Sequence, residues 1–488
     1  MSDAPIVSIS SGQLRGSSAE GIDRFLGIPD AAPPLGGRRF LPPQQVEPWN
    51  AVREPTTFGP TAPQAPYVGG IERYFGTIEI PGDDILTVNV WTPSGQSSGR
   101  DAGALLPVVV FVHGGALTRG AAALPIYDGT PFARSGVVYV SVQYRLGQEG
   151  FAIAEGIPGN LGVRDQGAAL RWVRREIAAF GGDPSRVTAM GQSAGANSLA
   201  TLLALPYASE LFDRVIVQSG PLAAQPAKKA GRMTRAITKL LNTPLTRAGL
   251  ASHSPSALVT AQTTISGQGS PLGGGPAVVI VAGDDMAPVS PIDAFLAGAA
   301  QHIPVLIGTT SEEYRAWLVP SGAVEKIRWS TVFLARLASK VPRAVVRAHG
   351  ARRPDASAGE VLGEIIGDML LRAPMTRFAD SRVGADAGTW VYEFRWRSPL
   401  DRLGASHAME FGFVFDALDL DDSRALTGDA APQNLADAMH SAWVAFIVDG
   451  DPGWERWSAK QPVQAFDADG GHIDYAPRAD ELEGLPHR

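Results

Sequence analysis

The sequence of 488 residues contains no cysteine. That absence excludes disulfides, thiol nucleophiles and cysteine-based metal sites, and it suits a reducing compartment. Long apolar runs are missing as well. The longest, such as Leu105 to Val112, fall far short of the ~20 residues that a helix needs to cross a bilayer. The opening residues Met1-Ser2-Asp3-Ala4-Pro5 lack a basic stretch followed by an apolar one, so no signal peptide is expected. No basic stripe with interleaved aromatics occurs, which argues against nucleic acid as a partner. The net charge of −7 arises from interspersed acids and bases and mainly serves solubility. Internal repeats, low-complexity tracts and a linker between independent domains are absent too. The expectation is a soluble, cytoplasmic protein with neither membrane nor nucleic acid as partner. Residues 1–488 are expected to form one large domain.

Apolar residues make up 44% of the chain and charged residues 19%, which is ample for a large core. In roughly the first thirty residues, short runs broken by Ser11-Gly12 and Glu20-Gly21 predict a small antiparallel hairpin. A Pro/Gly-rich loop follows over Pro29–Pro43. Strands are predicted at Thr87–Trp91, Pro107–Val112, Val137–Val142, Arg186–Met190, Val215–Val217 and Pro304–Ile307. The second and third are apolar on both faces, as central strands of a covered sheet should be. Ala169, Leu170, Val173, Ile177 and Phe180 fall near helical spacing ahead of a Gly181-Gly182 stop. Asn197–Leu205 also reads as helix. Strand and helix in alternation imply a mostly parallel central sheet with helices on both faces. Ser266–Pro276 reads as a Gly/Ser-rich surface loop, and residues 323–382 as a helical, cap-like insertion.

Gly191-Gln192-Ser193-Ala194-Gly195 matches G-x-S-x-G and lies between a predicted strand and a predicted helix. That context places a serine on a sharp turn where only small neighbours fit. The helix N-terminus then lies beneath a developing negative charge. His113-Gly114-Gly115-Ala116 follows the strand ending at Val112. Consecutive glycines there let backbone N–H groups approach a ligand oxygen. The pair of motifs matches the oxyanion hole of esterases and lipases, with Gly114, Gly115 and Ala194 as donors. His113 adjoins the hole and reads as structural.

A serine nucleophile needs a histidine base and a carboxylate to orient it, in the chain order Ser, acid, His. Five histidines follow the strand near residue 305: His349, His407, His440, His472 and His487. His407, in the small-residue loop Gly404-Ala405-Ser406-His407-Ala408, is the best base on local grounds. The acid should lie in Gly308-Thr309-Thr310-Ser311-Glu312-Glu313, directly after a strand, where active-site loops gather. Local reasoning leaves Glu312 and Glu313 equal.

These residues resemble the type-B carboxylesterases, whose members include cholinesterases and bacterial para-nitrobenzyl esterases. The resemblance runs through Phe25-Leu26-Gly27-Ile28-Pro29, Arg39-Phe40-Leu41-Pro42-Pro43, Asp84–Val90 and Tyr144-Arg145-Leu146-Gly147. It continues in Gly159-Asn160-Leu161-Gly162, Asp165-Gln166, Phe180–Pro184, Gln218-Ser219-Gly220 and the His407 loop leading to Phe413-Val414-Phe415. The pattern is similar to bacterial, actinobacterial members. The resemblance implies an α/β-hydrolase fold, Glu313 as acid, His407 as base and Ser219 as a serine that helps hold the triad. It implies ester hydrolysis through an acyl-enzyme on Ser193, with a small-molecule ester and water as partners and neither cofactor nor metal. A lipase, thioesterase or amidase of the same fold is the nearest alternative. An inactive interaction module would have lost the nucleophile or the base, and both are present. Departures from the family pattern are Ala62 and Ile85 in place of a cysteine pair, Asp30 for Tyr, Gln192 for Glu, Ala282 for Asp and Gly412 for Pro. Gln192 removes a charge beside the nucleophile, which implies a preference for neutral, aromatic esters over cationic ones.

Overall fold

The alternation of apolar strands with helices resolves into one large sheet. The computed structural model describes residues 4–96, 104–267 and 276–486. Among the described residues, eleven strands share this sheet. In spatial order they are His472–Tyr475, Pro462–Phe466, Thr389–Phe394, Val305–Thr310, Arg214–Gln218, Gly182–Gln192, Leu106–Val112, Val138–Val142, Thr87–Pro93, Ile22–Pro29 and Ser17–Ala19. From Pro462–Phe466 to Val138–Val142 every pairing is parallel. The outer strands on both sides run antiparallel. A separate antiparallel hairpin joins Ile6–Ile9 to Gly12–Arg15.

Strand periodicity divides the core into two layers. Val108, Val110 and Val112 join one apolar cluster with the helices Leu161–Glu176 and Ala194–Leu203. Val109 and Phe111 point the other way, into a cluster with Phe411, Phe415 and the helix Gln433–Asp449. Both faces of the central strands are therefore dry, which is why they read as unbroken apolar runs.

The helix predicted from Ala169 begins earlier, at Leu161. Glycines and polar residues in its first turns hide the apolar period, yet they are buried for tertiary reasons. A Cβ on Gly162 would fall 2.6 Å from the Arg145 carbonyl oxygen. Asp165 receives Nε and Nη2 of Arg145 at 2.8 and 2.6 Å, and both side chains are buried. This paired, hydrogen-bonded ion pair ties the helix to the loop after Val138–Val142.

Residues 323–382 are helical, with segments Ala323–Lys326, Trp329–Ser339, Arg343–Arg352, Ala358–Gly367 and Ala373–Asp380. They connect the adjacent parallel strands Val305–Thr310 and Thr389–Phe394. Ser357 and Glu360 form a reciprocal capping box at one helix start. Ala62 and Ile85, which stand in place of cysteines, are buried in the core. Residues 268–275 of the predicted Gly/Ser-rich loop, His487, and Met1, Ser2 and Asp3 lie outside the described residues.

Candidate active site

The strand Gly182–Gln192 ends one residue before Ser193, and the helix Ala194–Leu203 begins one residue after it. Ser193 bridges them at φ 55°, ψ −119°, a conformation non-glycine residues avoid. The surroundings hold it there. Its N–H donates to the Gln218 carbonyl at 2.9 Å, and its own carbonyl accepts from Asn197 N–H at 2.9 Å. Gly195 is required next to it, because a Cβ there would fall 2.1 Å from the Val112 carbonyl oxygen. The turn thus packs the start of the helix directly onto the end of the Leu106–Val112 strand.

That strand leads into His113-Gly114-Gly115. A Cβ on Gly114 would meet Ser193 Cβ at 3.2 Å and Gln192 Oε1 at 2.9 Å, so this backbone lies against the Ser193 turn. Gly115 has φ 106°, open only to glycine. Among the described residues, the N–H groups of Gly114, Gly115 and Ala194 donate to no carbonyl of another loop or turn. His113 is buried, stacks on Tyr144 at 4.5 Å, and bonds through Nδ1 to the Gly114 carbonyl at 2.8 Å. Burial pulls its pKa down to about 4, so it is a neutral, structural ring.

On the other side lies a short relay. Ser219 Oγ donates to Glu313 Oε1 at 2.6 Å, and the Thr310 N–H donates to the same oxygen at 2.8 Å. Glu313 Oε2 faces His407 Nδ1 at 2.5 Å. All three side chains are buried. A carboxylate at this position is an acceptor, so a neutral ring donating to it holds its proton on Nδ1 and has Nε2 as acceptor. That Nε2 meets the Gln192 amide nitrogen at 3.0 Å. The imidazole nitrogen that could accept a proton is therefore engaged by the amide of the residue next to Ser193. Trp317 lays its edge against the imidazole at 4.5 Å.

The two glutamates that local sequence reasoning left equal, and of which the resemblance implied Glu313, have different partners. Glu312 accepts from Arg315 Nε at 2.7 Å and from the Ala405 N–H at 3.0 Å, and pairs with Arg397 at 3.1 Å. It faces away from the imidazole. The other histidines are engaged elsewhere. His349 bonds to Asp368, His440 to Ser135 and the Val414 carbonyl, and His472 lies exposed on an edge strand. His349, Asp368 and Glu481 are close enough to share an ion, but Arg372 bridges the two carboxylates.

One buried group was not singled out from sequence. Glu410, three residues after His407, is fully buried and neither carboxylate oxygen meets a donor. Burial first, and then the Glu313 charge, push its pKa up to about 8. The only sequence signal was an acid heading the apolar stretch Phe411–Phe415. Trp317 was missed because nothing local marks it.

Beside the glycine loop lies a pocket lined mostly by aromatic and apolar side chains, among them Tyr67, Phe75, Leu124, Ile126 and Phe411, and by one carboxylate, Asp422. A larger cavity, about 820 Å³, is elsewhere: it runs along ion pairs behind Glu312 and is lined by neither Ser193 nor His407. Size is outweighed here by chemistry, since the smaller pocket is lined by Gly114 and Gly115, whose backbone lies against the Ser193 turn.

The Carboxylesterase family model matches residues 3–467. Para-nitrobenzyl esterase of Bacillus subtilis (strain 168) is 33% identical over 471 residues, covering 93% of this chain and 92% of that protein. Phenmedipham hydrolase of Pseudarthrobacter oxydans is 32% identical over 494 residues, covering 96% of each. A carboxylesterase of Geobacillus stearothermophilus superposes with a TM-score of 0.87 at 33% identity, over 99% of this chain and 100% of that one. A PNB esterase structure follows at 0.85 and 29% identity, over 99% and 100%. With its Gly191–Gly195 turn, its glycine loop and its mostly parallel sheet, the chain belongs to the carboxylesterase family, has the α/β-hydrolase fold and is a carboxylic-ester hydrolase.

Proposed function

We propose that Ser193 is the nucleophile, His407 the general base and Glu313 the acid that orients it. The observation that carries this reading is the buried relay Ser219–Glu313–His407, which ends beside the strained Ser193 turn. Ser193 attacks the ester carbonyl while His407 Nε2 takes its proton. For that step the hydroxyl replaces the Gln192 amide at Nε2, a tightening common when substrate enters. The N–H groups of Gly114, Gly115 and Ala194 bind the oxyanion. His407 then protonates the departing alcohol, and water releases the acid from the acyl-enzyme. Glu313 stays ionised and stabilises the imidazolium formed in each half-reaction.

The substrates in this reading are neutral esters of short acids with aryl or alkyl alcohols. Supporting it are the aromatic and apolar pocket beside Gly114 and Gly115, the uncharged Gln192, and the para-nitrobenzyl ester named for a relative. The absence of cysteine supports a cytoplasmic setting. The test is chemical. An organophosphonate should inactivate the protein and label Ser193, and Ser193→Ala should lose ~10⁴-fold or more in turnover of a short aryl ester. Inactivation that labels a different serine would overturn the assignment.

A further inference from the structure

From Lys326 to Arg347 the chain carries six cationic side chains and no carboxylate, although the protein as a whole has a net charge of −7. Among the described residues, Lys326, Arg328, Arg336, Lys340, Arg343 and Arg347 form no ion pair. The flanking groups are by contrast engaged: Glu325 with Arg402, Arg352 with Asp480, and Arg353 with Glu481.

Between these cations lies an unusually bare helix. Trp329–Ser339 buries only Val332. Trp329, Phe333 and Leu337 recur every fourth residue, on one face, and are 56%, 49% and 50% exposed. Leu334, beside them, is 64% exposed. The next helix, Arg343–Arg352, lies alongside. Together they enclose a groove of about 650 Å³, lined by Trp329, Phe333 and Val346 with Arg336, Arg343 and Arg347. Exposed apolar residues clustered in this way mark an interaction surface.

We propose that this face docks on an anionic lipid surface, with the helix Trp329–Ser339 lying in the interfacial plane. A helix with Trp, Phe and Leu on one side and a Lys/Arg rim has the composition of an interfacial helix. Its 11 residues span ~16 Å, so it lies on the bilayer and does not cross it. The cations supply attraction to acidic headgroups, and the aromatic and aliphatic side chains enter the headgroup boundary. Self-association is disfavoured by the same charges, since two copies would bring unneutralised cations face to face. Val332 of the surface helix belongs to one apolar cluster with Tyr314, Leu318, Val324 and Leu362. The sequence led to the expectation of no membrane partner at all; the docking proposed here departs from it, because that expectation rested on the lack of a spanning segment and the contact here is peripheral.

The test is co-sedimentation of the full chain with vesicles at low ionic strength. Vesicles of equimolar phosphatidylglycerol and phosphatidylcholine should bind the protein, and added salt should release it. Pure phosphatidylcholine should bind it weakly. Arg343→Glu/Arg347→Glu and Phe333→Ser/Leu334→Ser each alter exposed side chains. Each should weaken binding by about tenfold or more while hydrolysis of a water-soluble ester stays unchanged. No binding to the anionic vesicles, equal binding to both vesicle types, or equal binding by the variants each overturns the proposal. So does a dimer in sedimentation velocity that only Phe333→Ser/Leu334→Ser dissolves, which assigns the face to a second copy.

Discussion

Replacing Glu313 by Gln keeps the shape of the side chain and removes one charge. That charge lies against the imidazole: Oε2 is 2.5 Å from His407 Nδ1, and both groups are buried. In the proposed reaction His407 takes the Ser193 proton, and the pair becomes carboxylate and imidazolium. Their charge centres then lie ~4 Å apart, worth ~4 kcal/mol at an effective dielectric of about 20. Losing that is roughly 10³-fold in rate. A second effect adds to it, because a Gln amide can turn its NH₂ toward Nδ1 and stabilise the wrong tautomer, and the total rises to ~10³–10⁴-fold. Ser219 and Thr310 still hold the position, so the fold should survive. Glu312→Gln provides the control. Its partners are Arg315 and Arg397, and turnover should fall by less than about tenfold. The assay is kcat and KM for a para-nitrophenyl ester, with circular dichroism to verify folding. If Glu312→Gln loses more turnover than Glu313→Gln while both stay folded, the acid has been placed one residue out of register.

Two more substitutions probe the buried surroundings. Glu410 has a folded-state pKa raised from 4.5 to about 8, so across that window the folded state holds a proton that the unfolded state has lost. Stability should therefore fall as pH rises through it, by up to ~1.4 kcal/mol per unit. Glu410→Gln should raise Tm over wild type more at about pH 8 than at about pH 5, and parallel Tm–pH curves would refute the raised pKa. Gln192 meets His407 Nε2 at 3.0 Å, so Gln192→Glu places a charge at the reacting groups. The ratio of kcat/KM for a choline ester to that for its uncharged carbon isostere should rise several-fold, or ~1 kcal/mol. A ratio that does not move, or a wild type that prefers the choline ester, would exclude the proposed neutral-ester selectivity.

The sequence by itself determined the elements and the chemistry that is local. Apolar runs such as Pro107–Val112 located central strands because both faces of a parallel sheet are dry. The Gly191–Gly195 and His113–Gly115 turns were legible because their glycines answer to steric demands within a few residues. His407 stood out by its small-residue loop. The start of the Leu161–Glu176 helix was hidden, because Gly162 and Asp165 serve contacts with Arg145, a residue distant in the chain. Glu312 and Glu313 are adjacent and chemically alike. Family resemblance could favour one, but only the direction each side chain takes in the fold separates them: one toward Ser219 and His407, the other toward Arg315 and Arg397. The burial of Glu410, the edge of Trp317 against the imidazole and the Gln192 amide at Nε2 belong to the tertiary structure alone. Each depends on segments far apart in sequence that meet in space, and a linear pattern holds no record of such meetings.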